Sequence, residues 1–229
     1  MTVKVLIGVP ALDRVHTEFA ISLASLACES ARRGIHIRIE PVIHFTLKNA
    51  HAHLVENAQI FGASHLLLVE TDNTFPKDTL ARLLEHDKDI VGATYLTRSE
   101  PHMPMGLTIE GKAPDVTGGG LRQMACIPMG VTLIKMKIFE QMEQPWWREP
   151  YMEQVNRFAT DDYDFCNRAR ELGFEVWADA TLSMEVGHVG QVTWKLSDDE
   201  TRAGDPWGRP IAPEGRLSMF VNGPEKSAA

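Results

Sequence analysis

Cysteine is scarce in this sequence: Cys28, Cys126 and Cys166 are an odd, widely spaced set with no CxxC pair. That spacing suggests neither a disulfide framework nor a zinc cage and points to buried, reduced thiols. Long apolar runs are absent too. No stretch approaches the length that spans a bilayer, and the opening MTVKVLIGVP lacks the regions of a secretory signal, so a cytoplasmic protein is expected. Positive charge is in deficit, with 23 Lys and Arg against 31 Asp and Glu and a formal net charge of −8. A broad electrostatic footprint for nucleic acid or anionic membrane is disfavoured by this balance. A small phosphate is not, because a metal ion and one or two basic side chains neutralise it. Nothing resembles a linker before residue 190, so the expectation is one α/β domain over 1–190. Past Val192 the chain is polar and punctuated by Pro206, Pro210, Pro213 and Pro224, with Trp194, Trp207 and Phe220 as its few apolar anchors. Residues 191–229 are expected to be a C-terminal extension, wrapping or partly flexible.

The most informative stretch is His65 to Asn73, HLLLVETDN, where the apolar run Leu66, Leu67, Leu68, Val69 stops at Glu70 and Asp72. Such a run reads as a strand buried on both faces of a mostly parallel sheet. Ligands of open α/β sheets bind outside the carboxyl ends of strands of this kind. If the chain stays extended through Thr71, both carboxylates point the same way, which suits a hard divalent cation carrying phosphates. Turn chemistry and capping at a strand end attract the same residue types, so the local pattern leaves both readings open.

Around this centre the elements alternate. Residues 3–9 form a buried strand ending at Pro10, followed by a loop of Ala11, Leu12, Asp13 and Arg14 at the same sheet edge as Glu70. Helical spacing of Phe19, Ile21, Leu23, Leu26 and Ala27 predicts a helix from His16 to Arg33, stopped by Gly34. A half-exposed strand is expected at 35–43, a helix at 46–61, a helix from Lys77 to His86 and a strand from Asp89 to Tyr95. Strand and helix alternating in this way specify a parallel doubly wound sheet with right-handed crossovers. The Gly-, Pro- and Met-rich stretch 97–125, with Gly118, Gly119 and Gly120, is too long for a plain connection and predicts a functional loop or hairpin. Residues 126–135 read as one strand, followed by a short helix to Met142. Trp146 and Trp147 suit either a stacking platform or a core anchor. The last expected strand lies within residues 174–190 and leads to His188. His51 and His53, two apart on a helix, point about 200 degrees apart and cannot share an ion, so with His44 they read as solvated or partly packed.

A second acidic cluster, Asp161, Asp162 and Asp164, falls at the start of a helix that Gly173 stops. Carboxylates cap helix N-termini, which explains one Asp more easily than three. A catalytic base held at a helix start would use the same residues.

In their order, VLIGVP with its loop, the strand-end acids of LLLVETDN, TDDYDFCNRARELGF and Gly187-His188 resemble the GT-A class of glycosyltransferases, most closely the small stand-alone enzymes similar to glycosyltransferase family 2. The likeness runs from about residue 3 to 190. It implies a Rossmann-like, mostly parallel central sheet with helices on both faces. It further implies transfer of one sugar from a nucleotide-diphosphate sugar, a UDP-sugar foremost, to an acceptor hydroxyl with inversion. Asp72, His188 and Glu70 would attend Mn²⁺ or Mg²⁺, Glu70 facing either the ribose or a metal-bound water. Pro10, Ala11, Asp13, Glu70, Thr71 and Asp72 would hold the nucleotide, and Asp162, with Asp161 beside it, would supply the base. A saccharide, a protein side chain or a modified nucleobase would serve as acceptor. The chain departs from the family pattern at Glu70, one methylene longer than the usual Asp, and at His51-Ala52, where an Arg-Asn pair is expected. The Gln-x-x-Arg-Trp motif of processive members is absent, which favours one sugar per acceptor. Two alternatives remain: a sugar-nucleotide nucleotidyltransferase, for which PALDRVH is a poor loop, and a non-catalytic sugar-binding or structural protein on the same fold.

Overall fold

The computed structural model describes residues 3–98 and 101–190, which fall within one compact unit, whereas the expected extension 191–229 lies outside the described residues. The chain runs β1 (Lys4–Ala11), α1 (Thr17–Arg32), β2 (His36–Ile43), α2 (Leu47–Phe61), β3 (His65–Val69), β4 (Asn73–Thr74), α3 (Thr79–Glu85) and β5 (Ile90–Gly92). It continues through β6 (Leu107–Thr108), β7 (Leu121–Cys126), β8 (Val131–Lys135), α4 (Lys137–Gln141), β9 (Tyr151–Met152) and β10 (Arg157–Phe158). α5 (Asp161–Glu171), β11 (Val176–Asp179), α6 (Ala180–Ser183) and β12 (Gly187–His188) complete it. Among the described residues no helix is long and apolar enough to cross a membrane.

Eight strands form one sheet in the order β2-β1-β3-β8-β5-β11-β7-β6. β1, β2, β3, β5, β6 and β11 run one way, and β7 and β8 run against them. The mostly parallel α/β sheet expected from the sequence is therefore present, with one difference. β8 is wedged antiparallel between β3 and β5, where the strand-helix units alone predict a parallel neighbour. A strand buried on both faces is a plain apolar run, and such a run carries no sign of its direction.

Two further expectations are corrected. Residues 126–135 are not one strand: β7 ends at Cys126, Pro128 has no N–H for a ladder, and β8 starts only at Val131. β7 itself begins inside the stretch read as a loop or hairpin and pairs antiparallel with β6. It is reached through Gly118, Gly119 and Gly120, which turn at φ 77, 64 and 79°. Nor do residues 174–190 hold a single strand. Asp179 ends β11, and its Oδ1 accepts the Leu182 N–H at 2.8 Å, so that the chain turns into α6 before β12 forms.

Alternation along β1 and β3 divides the core. Leu6, Leu66 and Leu68 face Leu54 and Ala58 of α2 and Phe165 of α5. Val5, Ile7, Leu67 and Val69 face Phe19 and Leu26 of α1 and Leu80 and Leu83 of α3. The four residues Leu66 to Val69 are all 0% exposed, each contributing about 1.5–3 kcal/mol by burial. Trp146 and Trp147 belong to the first of these clusters, with Trp147 stacked on Phe165 at 4.9 Å between centroids. Of their two readings, the core anchor is the one observed.

Candidate active site

The carboxyl ends of β1 and β3 open onto two adjoining cavities. One, of about 350 Å³, lies between Pro10 and Ala11 at the end of β1, Glu70 to Asp72 after β3, and Phe45, Leu47 and Ala50 around the start of α2. The other, of about 230 Å³, shares Leu47 and Glu70 with it. Its walls include Asp161 and Asp162 at the N-terminus of α5, His188 of β12, and Tyr95 and Arg98 beyond β5.

β12 is what brings His188 back to β3. It pairs antiparallel with β4, Gly187 opposite Thr74 and His188 opposite Asn73, and the Val189 N–H donates to the Asp72 carbonyl at 2.7 Å. Nδ1 of His188 lies 2.8 Å from the Leu96 carbonyl. A carbonyl only accepts, so Nδ1 carries the proton, and in the neutral ring Nε2 presents a lone pair. That Nε2 stands 3.5 Å from Asp72 Oδ2. Arg98 Nη1 meets the same oxygen at 2.9 Å.

A histidine fixed through Nδ1 to a carbonyl, with Nε2 turned to a carboxylate, is a donor set that fits a divalent cation. Only two protein donors meet there, however. Among the described residues no three His, Cys, Asp or Glu side chains are grouped so as to hold an ion. Glu70 does not complete a triad with Asp72 and His188, so phosphate oxygens and waters would have to fill the remaining positions.

The carboxylates of the cleft perturb one another. Burial, then the charges of Asp72, Asp162 and Asp161, push the Glu70 pKa up from 4.5 to about 7, against a smaller lowering by Arg98. Burial and the Asp162 charge also raise Asp161. Tyr95 is raised well above its ordinary value, chiefly by burial and then by Glu70. Asp162 is anchored through Oδ1, which accepts the Tyr163 N–H at 2.9 Å. The third aspartate of the cluster stands apart. Asp164 accepts from Arg148 Nε and Nη2, each at 2.9 Å, in a fork that ties α5 to the segment after Trp147.

Of the residues named from sequence, Pro10, Ala11, Glu70, Thr71 and Asp72 line the first cavity, and Glu70, Asp161, Asp162 and His188 line the second. Asp13 lines neither; it is exposed and sits 3.5 Å from Arg14. Sequence reasoning missed Arg98 and Tyr95, whose one available signal was position just past the end of a sheet strand. It also misjudged His51. That ring is 1% exposed, contacts Trp147 at 5.0 Å between centroids and has no partner for either nitrogen.

Fold and cleft together define a mixed α/β protein with a carboxylate-rich site at the ends of its central strands. No known protein family matches the sequence, and no curated protein matches it. Among solved structures, protein A197 from STIV is similar at a TM-score of 0.50 and 9% identity over 85% of this chain and 97% of that one. A Drosophila β-1,4-galactosyltransferase 7 mutant, in complex with manganese, UDP-Gal and xylobiose, gives 0.48 and 15% over 86% and 78%. S. aureus TarS 1–349 in complex with UDP gives 0.45 and 13% over 82% and 61%. At 9% identity the likeness to A197 is one of fold.

Proposed function

We propose that this chain transfers one sugar from a nucleotide-diphosphate sugar, a UDP-sugar foremost, to an acceptor hydroxyl with inversion. The observation that carries the reading is the pair of adjoining cavities, one lined by Pro10, Ala11 and Phe45, the other by Glu70, Asp161, Asp162 and His188. The first suits a flat nucleobase against apolar walls. Asp72 and His188 would hold Mn²⁺ or Mg²⁺ together with the donor's phosphate oxygens. The bound ion would supply neutralisation of charge on the departing diphosphate. Glu70, with a pKa of about 7, both donates and accepts hydrogen bonds near neutral pH, as a ribose hydroxyl requires. Asp162, held through Oδ1 by the Tyr163 N–H at 2.9 Å, is the carboxylate that takes the proton from the attacking hydroxyl, with Asp161 beside it in the same cavity. A single displacement then inverts the anomeric centre. A saccharide, a protein side chain or a modified nucleobase fits the acceptor role.

The test is thermal unfolding with UDP, GDP, CDP and TDP, each with and without Mn²⁺, on the native chain and on Asp72→Ala. Ligand that binds the folded state raises its melting temperature by mass action. The expected result is a rise with UDP that requires Mn²⁺ and disappears in Asp72→Ala. No rise with any nucleotide would overturn the reading in favour of a non-catalytic protein on this fold.

A further inference from the structure

We infer that Arg98 is a stand-in cation: it neutralises Asp72 when no divalent ion is bound, yields that carboxylate to the ion, and then pairs with the donor's diphosphate. The inference deepens the reading above and rests on it. Its first support is competition for one atom. Arg98 Nη1 lies 2.9 Å from Asp72 Oδ2, the same oxygen that faces His188 Nε2 at 3.5 Å. A cation taken up between Asp72 and His188 meets a guanidinium already seated on its ligand, and the two like charges exclude each other.

The second support is the unequal burial of the two partners. The Arg98 side chain is 54% exposed and that of Asp72 18%. A half-exposed ion pair holds weakly, so the arginine is the partner that moves. The segment that leads to it is held: the Thr97 N–H donates to the Met103 carbonyl at 2.9 Å, the Met105 N–H to the Tyr95 carbonyl at 2.9 Å, and Leu96 bridges to Pro104. A swing of the side chain is the motion the exchange requires.

The third support is scarcity of positive charge. Among the described residues lining the two cavities Arg98 is the only lysine or arginine, set among Glu70, Asp72, Asp161 and Asp162. A diphosphate entering a cleft lined by these carboxylates gains from a second positive group beside the ion. A guanidinium released from Asp72 offers it a planar, bidentate partner.

The experiment is calorimetric titration of the full chain with Mn²⁺ alone, and with UDP in the presence of Mn²⁺, on the native protein, Arg98→Gln and Arg98→Lys. Arg98→Gln is expected to bind Mn²⁺ alone about fivefold tighter or more and UDP roughly tenfold weaker. Arg98→Lys, which keeps the charge, is expected to stay near native in the first measurement and to recover part of the second. If the native chain binds both ligands and Arg98→Gln changes neither, or weakens both, Arg98 is a surface pair or a structural contact and the stand-in role falls. If the native chain binds neither Mn²⁺ nor UDP, the donor-site reading falls and takes this inference with it.

Discussion

His51 and Glu70, two side chains that wall the same cavity, pull stability in opposite directions as pH changes. Burial takes the His51 pKa from 6.5 down to about 3. Between those values the unfolded chain binds a proton that the folded chain refuses, so this contribution is whole above pH 6.5 and is lost as the pH falls. Glu70 has the reverse linkage, its pKa rising from 4.5 to about 7. Its contribution is whole below pH 4.5 and is lost as the pH rises through 7. From pH 4.5 to 6.5 the two slopes, each at most about 1.4 kcal/mol per pH unit, oppose each other. Urea unfolding at pH 5 and 6.5 therefore gives closely similar stabilities for the native chain. His51→Leu is expected to be more stable at pH 5 than at 6.5, and Glu70→Gln less stable; parallel profiles for all three proteins would contradict this account. Glu70 was legible in the sequence because a strand end exposes its chemistry. His51 was not, because which face of α2 meets Trp147 is decided by residues about a hundred positions away.

At the scale of elements, β8 is the piece that the local pattern could not orient. Its insertion between β3 and β5 brings the backbone of Val131 and Thr132 against Gly92, where a Cβ would overlap the Thr132 hydroxyl and the Val131 carbonyl. Because one of those atoms is backbone, the strain has no flexible side chain to absorb it. Gly92→Ala is expected to cost roughly 1–3 kcal/mol, read as a lower urea midpoint with an unchanged slope. A midpoint equal to the native one would show that β5 and β8 separate more easily than their pairing implies. The helices α1, α2 and α5 were legible from spacing and stop signals, since each shows one apolar stripe to one core cluster. The end of β11 was not, because Asp179 serves the strand as its last residue and α6 as its cap.

For the chain as a whole, the mostly parallel α/β sheet followed from the sequence more readily than the pairing that brings its late segments back to its early ones. The ladder of β12 on β4 joins segments far apart in the chain: Asn73 to Gly187 spans 114 positions, and His188 to Leu96 spans 92. Ending the chain at Val186 removes His188 and the partner of β4 while leaving both core clusters intact. Such a chain is expected to unfold cooperatively near the native temperature and to show no shift with UDP and Mn²⁺, whereas one ending at Gly190 retains the shift; equal responses from the two would discount His188. The same ladder bears on manufacture. A ribosome adds roughly 5–20 residues per second from the N-terminus, so Asp72 has left the peptidyl-transferase centre several seconds before its histidine is joined to the chain. Products of synthesis interrupted before residue 188 carry the acids that follow β3 without the histidine that pairs with them across the β4–β12 ladder.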